Sequence, residues 1–299
     1  MQLLKPFFAL LLLGVLSTQA ALAQKSFGAQ GPESEPDRMQ QWLVPSPDPD
    51  IAARAILFRP PGNGPFRLAL IAHASTQNPL RRAQMPQSEY LAMAAFLVTR
   101  GFAVLVPERP GHGATGGRYL EDQGDCDGAD YDSAGRATAE AIAAALNYMR
   151  SQSFVRQQAA VILGHSAGAW GALAMAGEKA KGVSAIVAFA AGRGGHANDL
   201  PDQVCARHSL LATAREFGKG ARVPVTWLVA ANDTYFSPGL SRQLADAFRS
   251  GGGSVDFHVL AASGSEGHWL AETDSVAAIA GAELGLALKL RSPNSNRKR

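Results

Sequence analysis

The chain has 299 residues, of which 46% are hydrophobic and 18% are charged, with a formal net charge of +3. The apolar content excludes an intrinsically disordered protein, and 31 glycines and 2 cysteines are too few for collagen-like or disulfide-dense proteins. The net charge is small, and no run of Lys and Arg is interleaved with aromatic residues. We therefore expect no nucleic-acid partner.

The N-terminus has the pattern of a secretory signal peptide. Lys5 precedes an apolar run over residues 7–16, and Ala21-Leu22-Ala23 is the kind of small-residue site that signal peptidase cleaves. An uncleaved membrane anchor is the alternative, but it needs roughly 20 apolar residues, and this run is shorter. We expect residues 1–23 to be removed and the mature protein to be periplasmic or secreted, with no stable membrane insertion.

The remainder is predicted to contain one domain. Residues 24–48 are rich in Pro, Gly, Gln and charged residues, which is typical of a tether, and they include an extended segment at 41–44. Residues 49–290 have the length of a single α/β domain. The end of the chain, 291–299, is predicted to be a frayed basic tail.

Apolar runs of strand length alternate with segments of helical spacing across this domain. Strands are predicted at 51–58, 68–72, 102–106, 159–163, 183–189, 225–230 and 255–260. Helices are predicted at 90–99, 136–150, 167–176, 241–248 and 270–290. Because wholly apolar strands need cover on both faces, the alternation predicts an α/β fold with a mostly parallel central sheet flanked by helices.

Two segments interrupt the alternation, 111–132 and 192–221. We predict them to be irregular excursions above the carboxyl ends of the strands, where α/β proteins bind ligands. Each contains one cysteine, Cys126 or Cys205. In an oxidising compartment the two are expected to form a disulfide that joins the excursions, with two unrelated buried thiols as the alternative. Neither has the neighbours of a metal ligand, so no metal site is predicted.

One motif combines a strand, a turn and a helix around a serine. An apolar run over 161–163 leads into Gly164-His165-Ser166-Ala167-Gly168, which is a G-x-S-x-G pattern followed by small residues of a predicted helix. A nucleophile on a sharp strand-to-helix turn needs small neighbours, because the turn forces backbones together. The alternative is that Ser166 only caps a helix. The context favours Ser166 as a nucleophile.

A serine hydroxyl needs a base, and the base needs an orienting group. Asp233 follows the apolar strand 225–230, and His268 lies in a Gly-rich loop before the last helix. None of the rival carboxylates ends an apolar strand; these are Asp199, Asp202 and Asp256. Ser166 is then the candidate nucleophile, His268 the candidate base and Asp233 the leading candidate for the orienting residue, in the chain order Ser, Asp, His.

With these motifs the chain resembles the α/β-hydrolases, and within them the dienelactone-hydrolase-like group, over the whole mature length. The matching segments are His73-Ala74-Ser75, residues 164–168, residues 232–236 and Gly267-His268. The resemblance implies the α/β-hydrolase fold and the same three catalytic residues, with no cofactor. Two departures limit it. The enzymes after which the group is named have a cysteine at the position of Ser166. They also usually have a His-Gly pair where this chain has His73-Ala74.

The resemblance also implies an oxyanion hole formed by the backbone N–H groups of Ala167 and Ser75. Arg82 follows the same loop as Ser75 and is a candidate for binding a substrate carboxylate, with a solvated surface pair with Arg81 as the alternative. Aromatic residues beside Asp233 and His268 are candidates for the walls of a substrate pocket, namely Tyr235, Phe236 and Trp269.

The sequence therefore predicts an exported serine hydrolase that cleaves a small-molecule carboxylic ester through an acyl-enzyme, without cofactor or metal. A serine peptidase of the prolyl-oligopeptidase type is one alternative, because it shares the order of residues. A catalytically silent α/β-hydrolase fold used for binding is another. The identity of the ester and the oligomeric state are left open.

Overall fold

The computed structural model describes residues 26–177 and 181–288. The predicted signal peptide, 1–23, and the predicted basic tail, 291–299, lie outside these residues. The described chain contains a nine-stranded sheet in the order β1-β2-β3-β5-β4-β6-β7-β8-β9. Its strands are β1 Gly28–Ala29, β2 Gln40–Pro45, β3 Ala52–Phe58, β4 Arg67–Ala72, β5 Phe102–Pro107, β6 Ala160–His165, β7 Val183–Phe189, β8 Val225–Ala230 and β9 Val255–Leu260.

Seven α-helices are described around the sheet. They are α1 Pro79–Ala83, α2 Leu91–Val98, α3 Tyr131–Arg150, α4 Ala167–Met175, α5 Arg207–Lys219, α6 Pro238–Ser250 and α7 Val276–Ala287. Two short 3₁₀ helices, Ala197–Asp199 and Gly267–Glu272, lie at the carboxyl edge of the sheet.

Neighbouring strands are parallel from β5 through β4 and β6 to β9, while β1, β2 and β3 add an antiparallel edge. Strands β5, β6 and β8 are buried along their whole length, as their unbroken apolar sequences require. The predicted mostly parallel sheet flanked by helices is confirmed.

Helices cover both faces of this sheet and enclose two apolar cores. Helices α3 to α6 contribute to the core on one face, and α2 and α7 to the core on the other. Strand β4 contributes to both, since Leu68 and Leu70 face one core and Ala69 and Ile71 the other. This is the two-residue period of a strand. No helix among the described residues is long and apolar enough to cross a membrane.

Several boundaries differ from the sequence prediction. Two parts of the segment taken as a tether form strands, β1 and β2. The extended segment predicted at 41–44 is confirmed within β2, where Trp42 and Val44 alternate into the core, whereas β1 was not predicted. The second excursion, 192–221, is not irregular throughout: it contains α5, whose residues Leu210, Ala214 and Phe217 have helical spacing and are buried.

The first and last long helices also differ from their predicted bounds. Helix α3 begins at Tyr131 rather than at residue 136, because the Asp130 side chain accepts a hydrogen bond from the Ser133 N–H and caps it. The predicted helix over 270–290 is divided, since Thr273 is extended at φ −86° and ψ 156° between a 3₁₀ turn and α7.

Cys126 and Cys205 form a disulfide, so the predicted bond between the two excursions is confirmed. The bond closes a loop across 79 residues of sequence separation. Both cysteines lie on the wall of the cavity described below. The disulfide therefore ties together two loops from separate strand ends over one opening.

Removing this disulfide should destabilise the protein without changing its fold. In the chain-entropy approximation a loop of this length is worth about 4.5 kcal/mol, so Cys205→Ser and the double variant with Cys126→Ser should both lose about that much. Urea unfolding of the oxidised proteins measures the loss. Two titratable thiols in the denatured, unreduced wild type would contradict the bond.

Candidate active site

Ser166 occupies a strained turn between β6 and α4. Its backbone has φ 54° and ψ −116°, a conformation that side-chain-bearing residues rarely adopt. A Cβ atom at Gly168 would overlap the Ala72 carbonyl oxygen, and one at Gly164 would overlap the Ala169 backbone. Both glycines are therefore required by close backbone approach. Glycine at these two positions is what allows the serine to be raised at the end of the strand.

Asp233 and His268 meet at the carboxyl edge of the sheet. Nδ1 of His268 lies 3.2 Å from Oδ2 of Asp233, and both side chains are buried. The other oxygen of Asp233 accepts hydrogen bonds from the N–H groups of Tyr235 at 2.9 Å and Phe236 at 2.8 Å. The carboxylate is thus fixed by its own loop, and it directs Nε2 of His268 away from Asp233.

Two further groups hold the histidine. Oε1 of Glu266 accepts the His268 backbone N–H at 2.9 Å, and the same carboxylate accepts the Thr234 N–H at 3.1 Å. The Tyr235 ring stacks on the His268 ring with centroids 4.3 Å apart, and the His196 ring stacks on the other side of Tyr235. The loop after β8 and the loop after β9 therefore position the imidazole together.

Ser166 and His268 line the same cavity, which has a volume of about 630 Å³. Among the described residues no hydrogen bond joins Ser166 Oγ to the His268 ring. Such bonds are often long in enzymes without substrate and shorten when the reacting complex forms. Burial lowers the pKa of His268 more than the hydrogen bond to Asp233 raises it. The neutral form of the His268 ring is therefore favoured near neutral pH.

The two residues predicted for an oxyanion hole also line this cavity. Ala167 is the first residue of α4, where an N–H has no helical carbonyl to bond. The Ser75 backbone N–H makes no hydrogen bond among the described residues, whereas the neighbouring Ala74 N–H donates to the Tyr90 hydroxyl. Two unpaired donors thus flank the opening next to Ser166.

The side chain of Ser75 belongs to a separate contact. Nδ1 of His112 faces the carbonyls of Arg109 and Pro110, so its Nε2 accepts from the Ser75 hydroxyl at 2.7 Å. Burial lowers the pKa of His112 to about 4, so this ring is neutral at neutral pH. The contact fixes the loop that carries the Ser75 N–H.

A buried ion cluster supports that loop from below. The Glu121 carboxylate binds Arg109 on one side and Arg193 on the other, and Arg109 Nη1 donates to the His73 carbonyl at 2.9 Å. Arg193 Nη2 also donates to Thr138 Oγ1 at 2.8 Å. Burial alone would raise the pKa of Glu121, but the two guanidinium groups outweigh it and hold that pKa far below its ordinary value.

The predicted substrate-binding residues divide into two groups. Three of them line the cavity: Tyr235, Phe236 and the half-exposed Trp269. Arg82 does not. Its guanidinium donates to the carbonyls of Thr76 and Gln77 and lies 3.5 Å from the Tyr119 ring centroid, so it stabilises the loop. Its neighbour Arg81 lines the cavity instead.

Several residues of the site were not found from the sequence. They are Tyr90, Arg109, Glu121, Arg193, Glu266 and Glu272. Their partners are distant along the chain, and no local spacing indicates such pairs. For the described ranges, no group of three or more His, Cys, Asp and Glu side chains is arranged to hold a metal ion.

Comparison with known proteins gives a consistent picture of the fold. The profile of the prolyl oligopeptidase family matches residues 88–193. No curated protein sequence matches the chain. An esterase of Pyrococcus furiosus is similar in structure, with a TM-score of 0.59 and 14% identity over 84% of this chain and 91% of that one.

Two other solved structures are similar. A Klebsiella pneumoniae protein described as a dienelactone hydrolase has a TM-score of 0.54 and 13% identity, over 85% of this chain and 98% of that one. A puromycin-hydrolyzing peptidase of Mycobacterium tuberculosis has a TM-score of 0.57 and 14% identity, over 86% of this chain and 41% of that one. Together with the sheet order and the serine turn, these similarities identify the α/β-hydrolase fold, as the resemblance predicted.

The Glu121 cluster should make stability depend on pH. A carboxyl group with a depressed pKa stabilises the fold above its unfolded value of about 4.3, and this contribution is lost as the pH falls below that value. Glu121→Gln leaves two buried guanidinium groups uncompensated, so it should cost about 3–5 kcal/mol at pH 7.

Urea unfolding between pH 7 and pH 3 provides the measurement. The difference in free energy of unfolding between wild type and Glu121→Gln should narrow toward pH 3, because Glu121 takes up a proton there in the unfolded wild type but stays ionised in the folded protein. Asp127→Asn, which removes an exposed carboxylate from the same loop, should show little effect. A difference that is constant with pH would contradict the assignment.

Proposed function

We propose that the protein is an exported serine hydrolase that cleaves carboxylic esters, with Ser166 as nucleophile, His268 as base and Asp233 as the orienting residue. The observation that carries the proposal is the hydrogen bond between His268 and Asp233 at the wall of the cavity that Ser166 also lines. Asp233 bonds Nδ1, so Nε2 is left as the acceptor that a nucleophilic serine needs.

The reaction follows from these positions. Ser166 Oγ attacks the ester carbonyl while His268 Nε2 takes its proton, and the N–H groups of Ala167 and Ser75 stabilise the negative charge on the substrate oxygen. His268 then gives the proton to the leaving alcohol, which produces the acyl-enzyme. Water activated by the same imidazole releases the acid. No cofactor is needed for these steps.

The preference for esters is supported by the similarity to an esterase and by the form of the cavity. Tyr235, Phe236 and Trp269 give it an aromatic wall next to the histidine, suited to the apolar part of a small ester. Export is supported by the signal-peptide pattern and by the Cys126–Cys205 disulfide, because disulfides persist in oxidising compartments.

A serine peptidase is the second candidate function. The match of residues 88–193 to the prolyl oligopeptidase profile and the similarity to a puromycin-hydrolyzing peptidase favour it. A silent binding protein is the third. It is disfavoured because Ser166, His268 and the residues of the two unpaired N–H donors line one cavity, with Asp233 hydrogen-bonded to His268 behind it.

Loss of either Ser166 or His268 should abolish hydrolysis. We expect Ser166→Ala and His268→Ala each to lower kcat for p-nitrophenyl acetate or butyrate by about 10⁴-fold or more, because members of a triad act as a unit. His258→Gln, on the edge strand β9, is the matched control and should retain activity. Full activity in Ser166→Ala, with unfolding unchanged, would refute the mechanism.

Esterase and peptidase are separated by two series of chromogenic substrates, esters that release p-nitrophenol and anilides that release p-nitroaniline. Short-chain p-nitrophenyl esters should have higher kcat/KM than aminoacyl p-nitroanilides, after subtraction of the rate of Ser166→Ala. Greater turnover of the anilides would assign the peptidase function. Turnover of neither class would favour the binding protein.

A further inference from the structure

A carboxylate lines the cavity that contains the proposed catalytic residues. Glu272 lies on the wall of this cavity together with Ser166 and His268, and about 38% of its side chain is exposed. It is the last residue of the 3₁₀ helix Gly267–Glu272, which also contains His268. One short helix therefore brings the proposed base and an acidic side chain to the same opening.

This carboxylate is held in place through one of its two oxygens. Oε1 of Glu272 lies 3.0 Å from Nδ1 of His165 and 3.2 Å from the Tyr90 hydroxyl, and both partners are buried. Burial raises the pKa of Glu272, but hydrogen bonds from His165 and Tyr90 outweigh it, so the group is ionised at neutral pH. Oε2 makes no hydrogen bond with another described residue, which leaves it available to a ligand.

The other charged side chains of the cavity wall lie beside groups of opposite charge. Arg81 is 3.9 Å from Asp199, and Arg193 binds the Glu121 carboxylate. Glu272, in contrast, contacts no Lys or Arg side chain in the part of the chain that the structure describes. The wall therefore has a fixed carboxylate whose charge is not balanced by a basic side chain.

An aromatic ring accompanies this carboxylate. Trp269 and Glu272 are three residues apart in the 3₁₀ helix, and side chains at this spacing lie on the same face of such a helix. Trp269 also lines the cavity and is about 40% exposed. Its ring is nearly perpendicular to those of His268 and Tyr235, at centroid distances of 5.2 and 5.9 Å, so contacts on the protein side fix its position.

A carboxylate beside an indole ring is suited to binding an ammonium group. The carboxylate attracts the positive charge and accepts any N–H hydrogen bond, and the face of the indole attracts a cation through its quadrupole. A neutral apolar group would also pack on the indole, but it would remove water from the carboxylate without replacing the hydrogen bonds. The pair therefore discriminates between cationic and neutral groups of the same shape.

The carboxylate is also close to the loop of the proposed oxyanion hole. Oε1 of Glu272 and the backbone N–H of Ala74 both contact the Tyr90 hydroxyl, each at 3.2 Å. The next residue after Ala74 is Ser75, whose N–H is the proposed oxyanion donor. Because only two hydrogen bonds separate Glu272 from this loop, a short substrate can reach both.

We propose that Glu272 and Trp269 form a subsite for an ammonium group, so that the protein prefers short esters that carry a positive charge. This inference rests on the proposed function and names the substrate class of the same site. The ammonium group can belong to the acid, as in an amino acid ester, or to the alcohol, as in a choline ester.

The preference is measured with two pairs of esters that differ in charge but not in shape. Acetylcholine is paired with its analogue in which carbon replaces the quaternary nitrogen, and β-alanine ethyl ester with ethyl butyrate. Hydrolysis is followed by pH-stat at neutral pH, and the rate of Ser166→Ala is subtracted. In at least one pair, kcat/KM should be about tenfold higher for the charged ester, as expected for one charge-assisted contact. The pair that shows the preference identifies the part of the ester that carries the charge.

Substitutions in the subsite should change the ratio of kcat/KM between the two members of that pair. Glu272→Gln should lower the ratio about tenfold, because an amide has no charge, and Trp269→Leu should lower it about threefold. Asp274→Asn removes an exposed carboxylate that does not line the cavity and should keep the wild-type ratio. A merely structural role of Glu272 would lower kcat/KM for both members alike and leave the ratio unchanged.

Two kinetic results would overturn the proposal. One is a wild type that prefers the charged ester in neither pair. The other is a preference that persists in Glu272→Gln.

Ligand binding separates this proposal from the proposed function. The chain has 4 tryptophans, and in ¹⁵N-tryptophan-labelled protein the indole N–H signal of Trp269 is assigned by its absence in Trp269→Leu. Choline or propylammonium should shift this signal in the wild type and in Ser166→Ala, but not in Glu272→Gln.

If the protein hydrolyses none of the esters, the proposed function fails and the titration alone decides the subsite, which is refuted if neither cation shifts the signal. If the protein hydrolyses esters through Ser166 without preferring a charged one, only the further inference fails.

Discussion

The close approach of α4 to the end of β4 is the constraint on which the rest of the site depends. Gly168 lies against the Ala72 carbonyl, and any side chain there would overlap it. This contact lets Ser166 adopt its strained conformation and places the Ala167 N–H beside it. Because Ala72 leads directly into His73, Ala74 and Ser75, the same approach brings the second donor loop to the serine.

The groups that converge there are fixed from beneath by two polar clusters, of which the first is wholly buried and the second includes the partly exposed Glu272. The Arg109–Glu121–Arg193 cluster holds the Ser75 loop through the His73 carbonyl, and the Tyr90–His165–Glu272 cluster holds the loop of His268. Buried charges are costly unless they are paired and hydrogen-bonded. In both clusters the partners come from different strand ends, so satisfying them also fixes the relative position of those ends. The interactions that stabilise the carboxyl edge of the sheet therefore also set the geometry of the site.

Periodicity predicted the sheet and most helices because each is encoded within a few residues. Strands such as β6 and β8 are continuous apolar runs, and the G-x-S-x-G pattern is a local demand for small residues at a turn. Helix α5 was missed although Leu210, Ala214 and Phe217 have helical spacing, because the Gly-rich sequence before it suggested an irregular segment. The break at Thr273 was missed although the polar run over residues 272–275 interrupts the apolar sequence there.

Residues of the site could be predicted from the sequence only where they follow the end of a strand. Asp233 and His268 follow strands, and the structure places them 3.2 Å apart. Arg82 was chosen for its position after the Ser75 loop, yet its hydrogen-bonding capacity is directed to Thr76 and Gln77, which no sequence pattern reveals. Glu121 and Glu272 were missed for a related reason. Their importance comes from partners such as Arg193 and His165, which are 72 and 107 residues away.

The central claim is that Ser166 is a nucleophile activated by His268. It is tested most directly by treating the protein with a fluorophosphonate and mapping the modified peptide by mass spectrometry. We predict a single covalent adduct on Ser166 in the wild type and none in His268→Ala under the same conditions. An adduct on another residue, or no adduct on a folded wild-type protein, would contradict the account.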